Sequence, residues 1–445
     1  MEGRSMSESD SENIRPLIRE SFFYAPEIIE DIQAKAELGR YRLRGYGTLR
    51  KLPSFDDLTF ITSGLSRVPL EGYRESCSTK TTIGARNASE PLELETPIYI
   101  TGMSYGALSK TAKVALGKAA SSIGTMTVTG DGGMLLEERE ASKLLMYQVL
   151  PSRYGFNPDH LKQADALEIV IGQGAKPGTG GLLMGLKVSK TIADQRELPA
   201  GIDQRSPVRH PDWMGSDDLM IKLEELREVT EGKVPIFLKL GAGRVTDDVK
   251  LAAKVGADAI VIDGMEAGTG ASPELQLDHT GVPTMPATAE AVKALHELGL
   301  EDEVDLIISG GITSGADIAK ALALGAKGVA IGTAALIALN CNKSIYVSDY
   351  ERLGTRPGAC HHCHTGMCPV GITTQDPELE SRLDLDEAAE RVANYLNALT
   401  LEVQLISRAC GKRDIHNLEP EDLRALTIEA SAMTGVPLVG NNKIY

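Results

Sequence analysis

The sequence has no long apolar run and no excess of basic residues. No stretch of about 18 consecutive apolar residues occurs, so the sequence predicts no membrane span. The formal net charge is −16, which argues against nucleic acid and anionic membranes as partners. The start, MEGRSMSESDSEN, is polar and acidic, unlike a signal peptide, and predicts a disordered tail. We therefore expect a cytoplasmic protein.

Two further absences narrow the fold class. No GxGxxG motif follows the first apolar strand, which argues against a Rossmann domain. The six cysteines do not read as a disulfide framework in a cytosolic chain of 445 residues. Four of them lie between positions 341 and 368, and this clustering suggests a metal. Cys77 and Cys410 lie far from the cluster and are expected to be ordinary buried thiols.

Apolar strands that end in glycine recur from residue 96 onward. Seven are visible: PIYITG (97–102), TMTVTG (125–130), LEIVIG (167–172), IFLKLG (236–241), AIVIDG (259–264), LIISGG (306–311) and GVAIG (328–332). An eighth is expected within 145–160 or 280–290. Alanine-rich helical segments separate many of them, which predicts a parallel sheet covered on both faces. An open doubly wound sheet is the alternative, but the series continues without a domain break and favours a closed (β/α)8 TIM barrel.

We expect three regions along the chain. Residues 1–95 form a tail and a cap, in which RESFFYAPEIIEDIQAKAEL predicts a helix; residues 96–374 form the barrel; residues 375–445 form a helical extension. In the extension, LDEAAERVANYLNALTLEVQLISRACG predicts one long helix that ends at Gly411. LEPEDLRALTIEASAMTG predicts a second helix. Both should pack on the outside of the barrel or on a partner.

The last two strands end in turns that suit a phosphate group. Gly310, Gly311 and Gly332 carry no Cβ, so their backbone N–H groups can approach a ligand closely. Helices follow both turns, and helix N-termini attract phosphate. Paired turns near the end of a barrel commonly form its phosphate site. The sequence therefore predicts a phosphorylated cofactor.

Five other strand ends carry candidate site residues. They are TGMSYGALS with Ser104, TGDGG with Asp131, GQGAKPGTGG with Gln173 and Lys176, LKLGAGR with Lys239, and DGMEAGTGAS. Lys239 can lie beside an isoalloxazine ring and offset negative charge on its reduced form. Lys176 suits a substrate carboxylate or carbonyl, and Arg196 could add a second anion contact. The simpler alternatives are turn geometry for each glycine and an exposed helix arginine for Arg196.

The cysteine segment CHHCHTGMCPVG allows three interpretations. Thiolates bind iron–sulfur clusters, and proline directly after the last cysteine is familiar from ferredoxins. Zinc is the second interpretation, supported by His361, His362 and His364. Reduced, unligated cysteines are the third.

Taken in order, these motifs resemble the FMN-binding synthase domain of glutamate synthase over roughly residues 90–380. SGGI, IGTAALIALNC and CHTGMCPVGITTQDP complete the set. The resemblance implies a (β/α)8 barrel that holds FMN and a three-iron cluster (3Fe–4S). It also implies reduction of 2-iminoglutarate, formed from 2-oxoglutarate and ammonia, to L-glutamate.

The resemblance also implies roles for individual residues. Lys176 and Arg196 would hold the substrate carboxylates, and Asp131 would orient or protonate the imine nitrogen. Cys341, Cys363 and Cys368 match the cluster ligands of the family, although residues 342–362 are inserted after the first, and Cys360 inside the insertion could replace Cys341. The residues expected to contact FMN are Gly102, Met103, Ser104, Thr129, Gln173, Lys239, Gly268, Gly270, Ser309, Gly310, Gly311, Gly332 and Thr333.

Two substrate positions depart from the family. It has glutamate where Asp131 stands and glutamine where Leu182 stands, and the lost hydrogen bond at Leu182 could alter which amine or keto acid is accepted. The C-terminal stretch SRACGKRDIHNLEPEDL resembles stand-alone synthase subunits, including the large subunit of N-methylglutamate synthase (methylamine–glutamate N-methyltransferase). We expect the glutamate reaction first, since the cysteine motif and GTGAS follow that form, and the methylamine reaction second.

The resemblance implies partners as well. The start Met1-Glu2-Gly3 has no N-terminal nucleophilic cysteine, so ammonia is expected from a separate amidotransferase subunit or from solution. No NAD(P)-binding motif stands out, which implies a separate reductase or a ferredoxin as electron donor, and an oligomer is expected. Two other classes stay open. A 2-hydroxy acid oxidase needs a histidine base, for which His210 and His279 are the only nearby candidates, and a non-catalytic subunit would only hold a cluster.

Overall fold

The computed structural model describes residue 21, residues 23–72 and residues 74–445. The chain divides into two units, Met1–Arg42 and Leu43–Tyr445. The expected tail MEGRSMSESDSEN lies outside the described residues, as does part of the helix expected over 19–38. That helix begins only at Pro26 and ends at Leu38, followed by Gly39 in the left-handed conformation. Proline suits the first helical position because the N–H group it lacks would be unpaired there anyway.

The second unit contains the eight parallel strands that the sequence predicts. They are β1 (Ile98–Ile100), β2 (Met126–Val128), β3 (Leu144–Val149), β4 (Ala166–Val170), β5 (Ile236–Gly241), β6 (Ala259–Asp263), β7 (Asp305–Ser309) and β8 (Gly328–Ile331). The eighth strand expected within 145–160 or 280–290 is β3, whereas the second range lies in the helix Thr284–Leu298.

The strands follow one another around a nearly closed barrel. Their order in the sheet is β1-β8-β7-β6-β5-β4-β3-β2, and every neighbouring pair is parallel. The two end strands, β1 and β2, contact each other, and the hydroxyl of Thr125 donates to the carbonyl of Ile98 at 2.6 Å. The closed (β/α)8 fold is therefore confirmed over the open doubly wound sheet.

Alternation along the strands decides which side chains enter the barrel. In β5, Phe237 belongs to the interior apolar cluster, whereas Ile236 and Leu238 face the outer layer of helices. The side-chain period of two then turns Lys239 inward as well. The same alternation places Gln148 of β3 above Met146 and Asp263 of β6 above Val261. The interior is thus apolar at the amino ends of the strands and polar at their carboxyl ends.

A hairpin closes the amino end of the barrel. Its strands Thr81–Ile83 and Leu92–Leu94 pair antiparallel, and Ile83, Leu92 and Leu94 join the interior cluster. The amide of Gly84 donates to the Asp305 carboxylate at 2.7 Å, at the start of β7. Because this end is plugged, only the carboxyl end of the barrel is left open for a ligand.

Helices and short strands surround the barrel. The helices of this unit are Lys110–Ile123, Leu136–Ala141, Pro158–Gln163, Lys190–Arg196, Ser216–Val229, Val245–Lys254, Glu274–His279, Thr284–Leu298, Gly315–Leu324, Thr333–Ala338, Val347–Arg352, Pro377–Glu380, Leu385–Ala409 and Ile428–Thr434. The 3-10 turns are Phe55–Asp57, Gly185–Lys187, Ile415–Asn417 and Pro420–Asp422. The remaining antiparallel pairs are Leu43–Tyr46 with Thr269–Pro273, Leu182–Leu183 with Gln204–Arg205, and Leu58–Phe60 with Leu423–Ala425.

The C-terminal region confirms one predicted helix and corrects the other. Leu385–Ala409 is a single helix, capped by Asp384 and followed by Gly411 with φ 75°, and it packs on Lys110–Ile123 outside the barrel. The second predicted helix is wrong over most of its length, since only Ile428–Thr434 is α-helical. The reason is strand pairing: Leu423 and Ala425 are buried opposite Phe60 and Leu58.

Among the described residues, no helix combines the length and the apolar content that crossing a bilayer requires.

Candidate active site

A cavity of about 400 Å³ opens at the carboxyl ends of the strands, and we call it the strand-end cavity. It brings together nearly all of the residues expected at a cofactor or substrate. The predicted residues that line it are Gly102, Met103, Ser104, Asp131, Gln173, Lys176, Arg196, Lys239, Gly268, Gly270, Ser309, Gly310, Gly311, Gly332, Thr333 and Cys363. Thr129 is the exception, because it lies buried behind the wall.

Thr129 belongs instead to a buried support of the wall. The ammonium of Lys113 donates to the carbonyls of Thr129 and Met103, both at 2.7 Å, and pairs with the Glu138 carboxylate at 2.7 Å. The hydroxyl of Thr129 accepts from the backbone amide of Gln148 at 3.0 Å. The buried ion pair between Lys113 and Glu138, which lie on the helices after β1 and β2, therefore fixes the ends of these two strands. The strand ends carry part of the cavity wall.

The floor of the cavity is a layer of inward polar side chains around Lys239. Lys239 is 4% exposed, and its ammonium donates to the hydroxyl of Thr101 at 2.9 Å and lies 3.9 Å from the Asp263 carboxylate. The side-chain amide of Gln148 donates to the Glu168 carboxylate, whose other oxygen has no partner among the described residues. Burial raises the pKa of Glu168, and the charge on Lys239 opposes that shift. The floor thus carries one cation able to face a ligand that gains negative charge.

The glycine turns after β7 and β8 form one end of the cavity. Gly310 and Gly311 have φ of 105° and 70°, and a Cβ on Gly311 would lie 2.8 Å from the Cβ of Glu266. No described residue accepts a hydrogen bond from the amides of Gly310 and Gly311. Gly332 precedes helix Thr333–Ala338 with no side-chain cap. Unpaired amides at the edge of a cavity are suited to a phosphate group.

Asp131 lies on the other side of the cavity, held between two hydroxyls. Ser152 and Ser206 each donate to one of its carboxylate oxygens at 2.7 Å. Ser206 follows the short hairpin that Leu182–Leu183 and Gln204–Arg205 form, so this hairpin carries one of the two donors. A side chain oriented in this way can accept a hydrogen bond from a nitrogen of a bound substrate or, in its acid form, donate a proton to that nitrogen.

Two buried cations flank Asp131. Lys176 is 3% exposed and donates to the Thr269 hydroxyl and the Ala271 carbonyl, both at 3.2 Å. Burial lowers the pKa of Lys176 to about 8, and the charge on Asp131 opposes this shift. Arg196, predicted as either an anion contact or an exposed helix residue, is buried and donates to the carbonyls of Tyr105 and Asp131. Burial disfavours the charged forms of Lys176 and Arg196, and an anionic substrate bound beside them would stabilise these charges.

Next to this cavity lies a second, smaller one of about 30 Å³, which we call the cysteine cavity. Cys341, Cys360, Cys363 and Cys368 all line it. Four residues line both cavities: Tyr46, Leu336, Cys363 and Thr373. One layer of side chains therefore separates the two.

The geometry argues against a single zinc ion in the cysteine cavity. Tetrahedral zinc with Zn–S bonds of about 2.3 Å holds its sulfur ligands about 3.8 Å apart. No three ligand atoms among the clustered cysteines and His361, His362 and His364 lie within 4.8 Å of one another.

The oxidase alternative lacks its base. His210 donates from Nε2 to the Val170 carbonyl at 2.8 Å and stacks on Trp213, while His279 ends an outer helix and is exposed. No histidine of the described residues lines the strand-end cavity. A 2-hydroxy acid oxidase that depends on a histidine next to the flavin is therefore disfavoured.

Sequence reasoning missed several residues of the site. Gln148 and Glu168 interrupt otherwise apolar strands, and this interruption was the signal that could have found them. Lys113 gave no such signal, because the sequence alone does not distinguish a buried lysine on a helix from an exposed one. Tyr46 is in the left-handed region with φ 75° and lines both cavities. A positive φ strains the backbone of any residue other than glycine, and such strained residues are often found at functional sites.

Comparison with known proteins agrees with this geometry. The family model for the conserved region in glutamate synthase matches residues 48–413. The chain is 54% identical over 424 residues to the glutamate synthase large subunit-like protein of Rhizobium meliloti (strain 1021), covering 95% of this chain and 96% of that protein. It is 37% identical over 415 residues to the archaeal glutamate synthase [NADPH] of Methanocaldococcus jannaschii, covering 87% and 78%. A solved double mutant of flavocytochrome b2 with pyruvate bound shares the fold, with a TM-score of 0.51, 20% identity, and coverage of 88% and 80%.

Proposed function

The chain belongs to the glutamate synthase family, and from this premise we propose that it is an FMN-dependent oxidoreductase that reduces 2-iminoglutarate to L-glutamate. The imine would form from 2-oxoglutarate and ammonia. The strand-end cavity supports this assignment, because it joins unpaired amides at one end, a buried lysine in the floor and two buried cations around a carboxylate at the other end.

The residues present fit FMN. The amides of Gly310 and Gly311 would hold its phosphate, and added Cβ atoms there would obstruct the turn. Lys239 would face the ring and offset the negative charge of its reduced form. When bound, FMN supplies the hydride that reduces the imine carbon.

The substrate end determines how the imino acid would be held. Lys176 and Arg196 would bind its carboxylates, and holding both fixes the reacting carbon over the ring position. Asp131, oriented by Ser152 and Ser206, would hold or deliver a proton at the imine nitrogen. The wall that Lys113 supports would keep water from the reacting atoms.

The cysteine cavity fits an iron–sulfur cluster that passes electrons to this site. Its four cysteines converge on one small space, and Cys363 lines both cavities. We infer that electrons come from a separate reductase or a ferredoxin, and that ammonia comes from a separate amidotransferase subunit or from solution. A cytoplasmic location and an oligomeric enzyme complete the proposal.

A second candidate is the methylamine reaction that yields N-methylglutamate. One observation favours it: Leu182 lines the cavity beside Gly181, whose added Cβ would lie 3.4 Å from the Asp131 carboxylate. An apolar side chain at this place could contact an N-methyl group, and it removes a polar contact that the family has there.

An anaerobic assay separates the two candidates. The reduced protein is supplied with 2-oxoglutarate and with either ammonium or methylamine, and the product is identified by mass. Glutamate from ammonium supports the first candidate, and N-methylglutamate as the faster product supports the second. Leu182→Gln should shift the preference towards ammonium. Absence of both products from flavin-loaded, reduced protein would overturn the proposed function.

A further inference from the structure

The cysteine cavity holds one thiol more than a three-iron cluster needs. We propose that this chain binds a four-iron cluster (4Fe–4S) through four thiolates, those of Cys341, Cys360, Cys363 and Cys368. The inference rests on the proposed function, because it assumes that the cavity holds an iron–sulfur cluster, and it assigns both the ligand set and the cluster type.

All four cysteines border the same small space. Each of the four cysteines lines the cysteine cavity, in which the other walls include Leu336, Val370 and Ile372. Cys360 is therefore not an outlying residue of a loop but part of the cluster of thiols.

The chain fixes Cys360 in this position through Asn342. The side-chain amide of Asn342 donates to the Cys341 sulfur at 3.5 Å and to the Cys360 carbonyl at 3.2 Å. Its oxygen accepts from the Cys360 amide at 2.9 Å. Asn342 itself adopts φ 60°, a conformation in which asparagine is enriched among non-glycine residues. Asn342, the first residue of the inserted segment, thus connects Cys360, the second of the four cysteines, to Cys341.

The number of thiols then determines the cluster type. A four-iron cluster takes four cysteine ligands, one for each iron. A three-iron cluster would leave one thiol without a ligand role in a cavity whose remaining walls are largely apolar. His362 also lines the cavity, so an imidazole ligand is the competing arrangement and is tested below.

The test measures iron and cluster type in the full chain, purified without oxygen. We expect about four irons and four sulfides per chain, because each iron takes one thiolate. The oxidised protein should give no electron paramagnetic resonance signal, and a signal should appear on reduction. Cys360→Ala should lower the iron content to three and produce the signal that an oxidised three-iron cluster gives.

Two control variants make the result specific. Cys410→Ala removes a buried cysteine outside the cavity and should leave iron content and spectrum unchanged. His362→Ala should also leave both unchanged; loss of one iron in this variant, with none lost in Cys360→Ala, would overturn the four-thiolate assignment. Both readouts are independent of enzyme turnover.

The remaining outcomes separate this inference from the proposed function. Three irons in the unaltered protein, with an oxidised-state signal that Cys360→Ala does not change, would overturn the four-iron inference. Glutamate formation by that same protein would still uphold the proposed function. Protein without iron that forms glutamate from chemically reduced FMN would reject the cluster and uphold the flavin chemistry.

Discussion

At the scale of single residues, the side-chain alternation of β5 places Lys239 where its proposed role requires it. The strand turns it inward above Phe237, where a ligand in the strand-end cavity would meet its ammonium. We predict that Lys239→Met leaves the apoprotein folded, because burial already favours the neutral form of the neighbouring Glu168. Turnover should fall by about 100-fold or more, the loss expected when one preorganised charge is removed from a developing anion.

The measurement for Lys239 is the rate of glutamate formation by anaerobically reduced, flavin-loaded protein. Lys320→Met is the matched control, since Lys320 is also buried but lies on helix Gly315–Leu324 outside the cavity lining. Normal turnover in Lys239→Met, or equal losses in both variants, would remove the role assigned to Lys239.

His210 predicts how the stability of the fold depends on pH. Burial lowers the pKa of His210 to about 4, the hydrogen bond to Val170 opposes this shift, and the charges of Arg153, Asp212 and Lys222 have smaller effects. Its Nδ1 is buried without a partner among the described residues, so a proton there would be unsatisfied. Between about pH 4 and the unfolded value near 6.5 the folded state binds fewer protons than the unfolded state, so stability falls as the pH falls through this window.

Urea unfolding at about pH 7.5 and about pH 5 tests this dependence, which should be seen as a lower midpoint under the acidic condition. His210→Phe keeps a ring against Trp213 but cannot titrate, and its midpoint should change less between the two conditions. An equal change in both proteins would assign the acid sensitivity to other groups.

At the scale of elements, the sequence was sufficient for the barrel strands and insufficient for their polar interior. Glycine after each apolar run marked seven strand ends, because the turn into the next helix needs its backbone freedom. The strand Leu423–Ala425 escaped prediction because its partner, Leu58–Phe60, lies far away in the sequence. Gln148 and Glu168 were visible as polar interruptions of apolar strands, but their contact with each other could not be predicted, because it forms only in the closed barrel.

The turn after β7 yields a prediction at this scale. Gly311→Ala places a Cβ 2.8 Å from that of Glu266 at a position with φ 70°, so the turn must shift. We expect FMN to bind at least about tenfold more weakly, which corresponds to about 1.4 kcal/mol. Fluorescence titration of the apoprotein with FMN measures the change.

Gly299→Ala is the matched control for the turn. Gly299 has φ 65°, and an added Cβ there meets no atom within 4 Å. Both variants should lose about 1–2 kcal/mol of stability from the left-handed backbone, but only Gly311→Ala should weaken FMN binding. Weaker binding in both would mean that general destabilisation, rather than the phosphate turn, is responsible.

At the scale of the whole molecule, the fold places two cavities on either side of one layer of side chains. The barrel closes at its amino end with the hairpin and opens at its carboxyl end into the strand-end cavity. The segment after β8 then folds over this opening and brings the cysteines against it. Tyr46 and Thr373 also belong to this wall of side chains. Because they come from distant parts of the sequence, no local motif could predict the wall.

This arrangement predicts that the two functions can be separated. Cys363→Ala removes the one cysteine among the described residues that lines both cavities, so the cluster should lose its ligand on the flavin side while FMN still binds through the turns after β7 and β8. Electrons from reduced ferredoxin should then no longer reach the flavin, whereas dithionite, which reduces flavin directly, should still support glutamate formation. Cys77→Ala, at a buried thiol outside both cavities, should keep activity with both donors. If Cys363→Ala instead kept full activity with ferredoxin, electrons would have to enter by a route that avoids the cysteine cavity, and the shared wall would have no role in electron transfer.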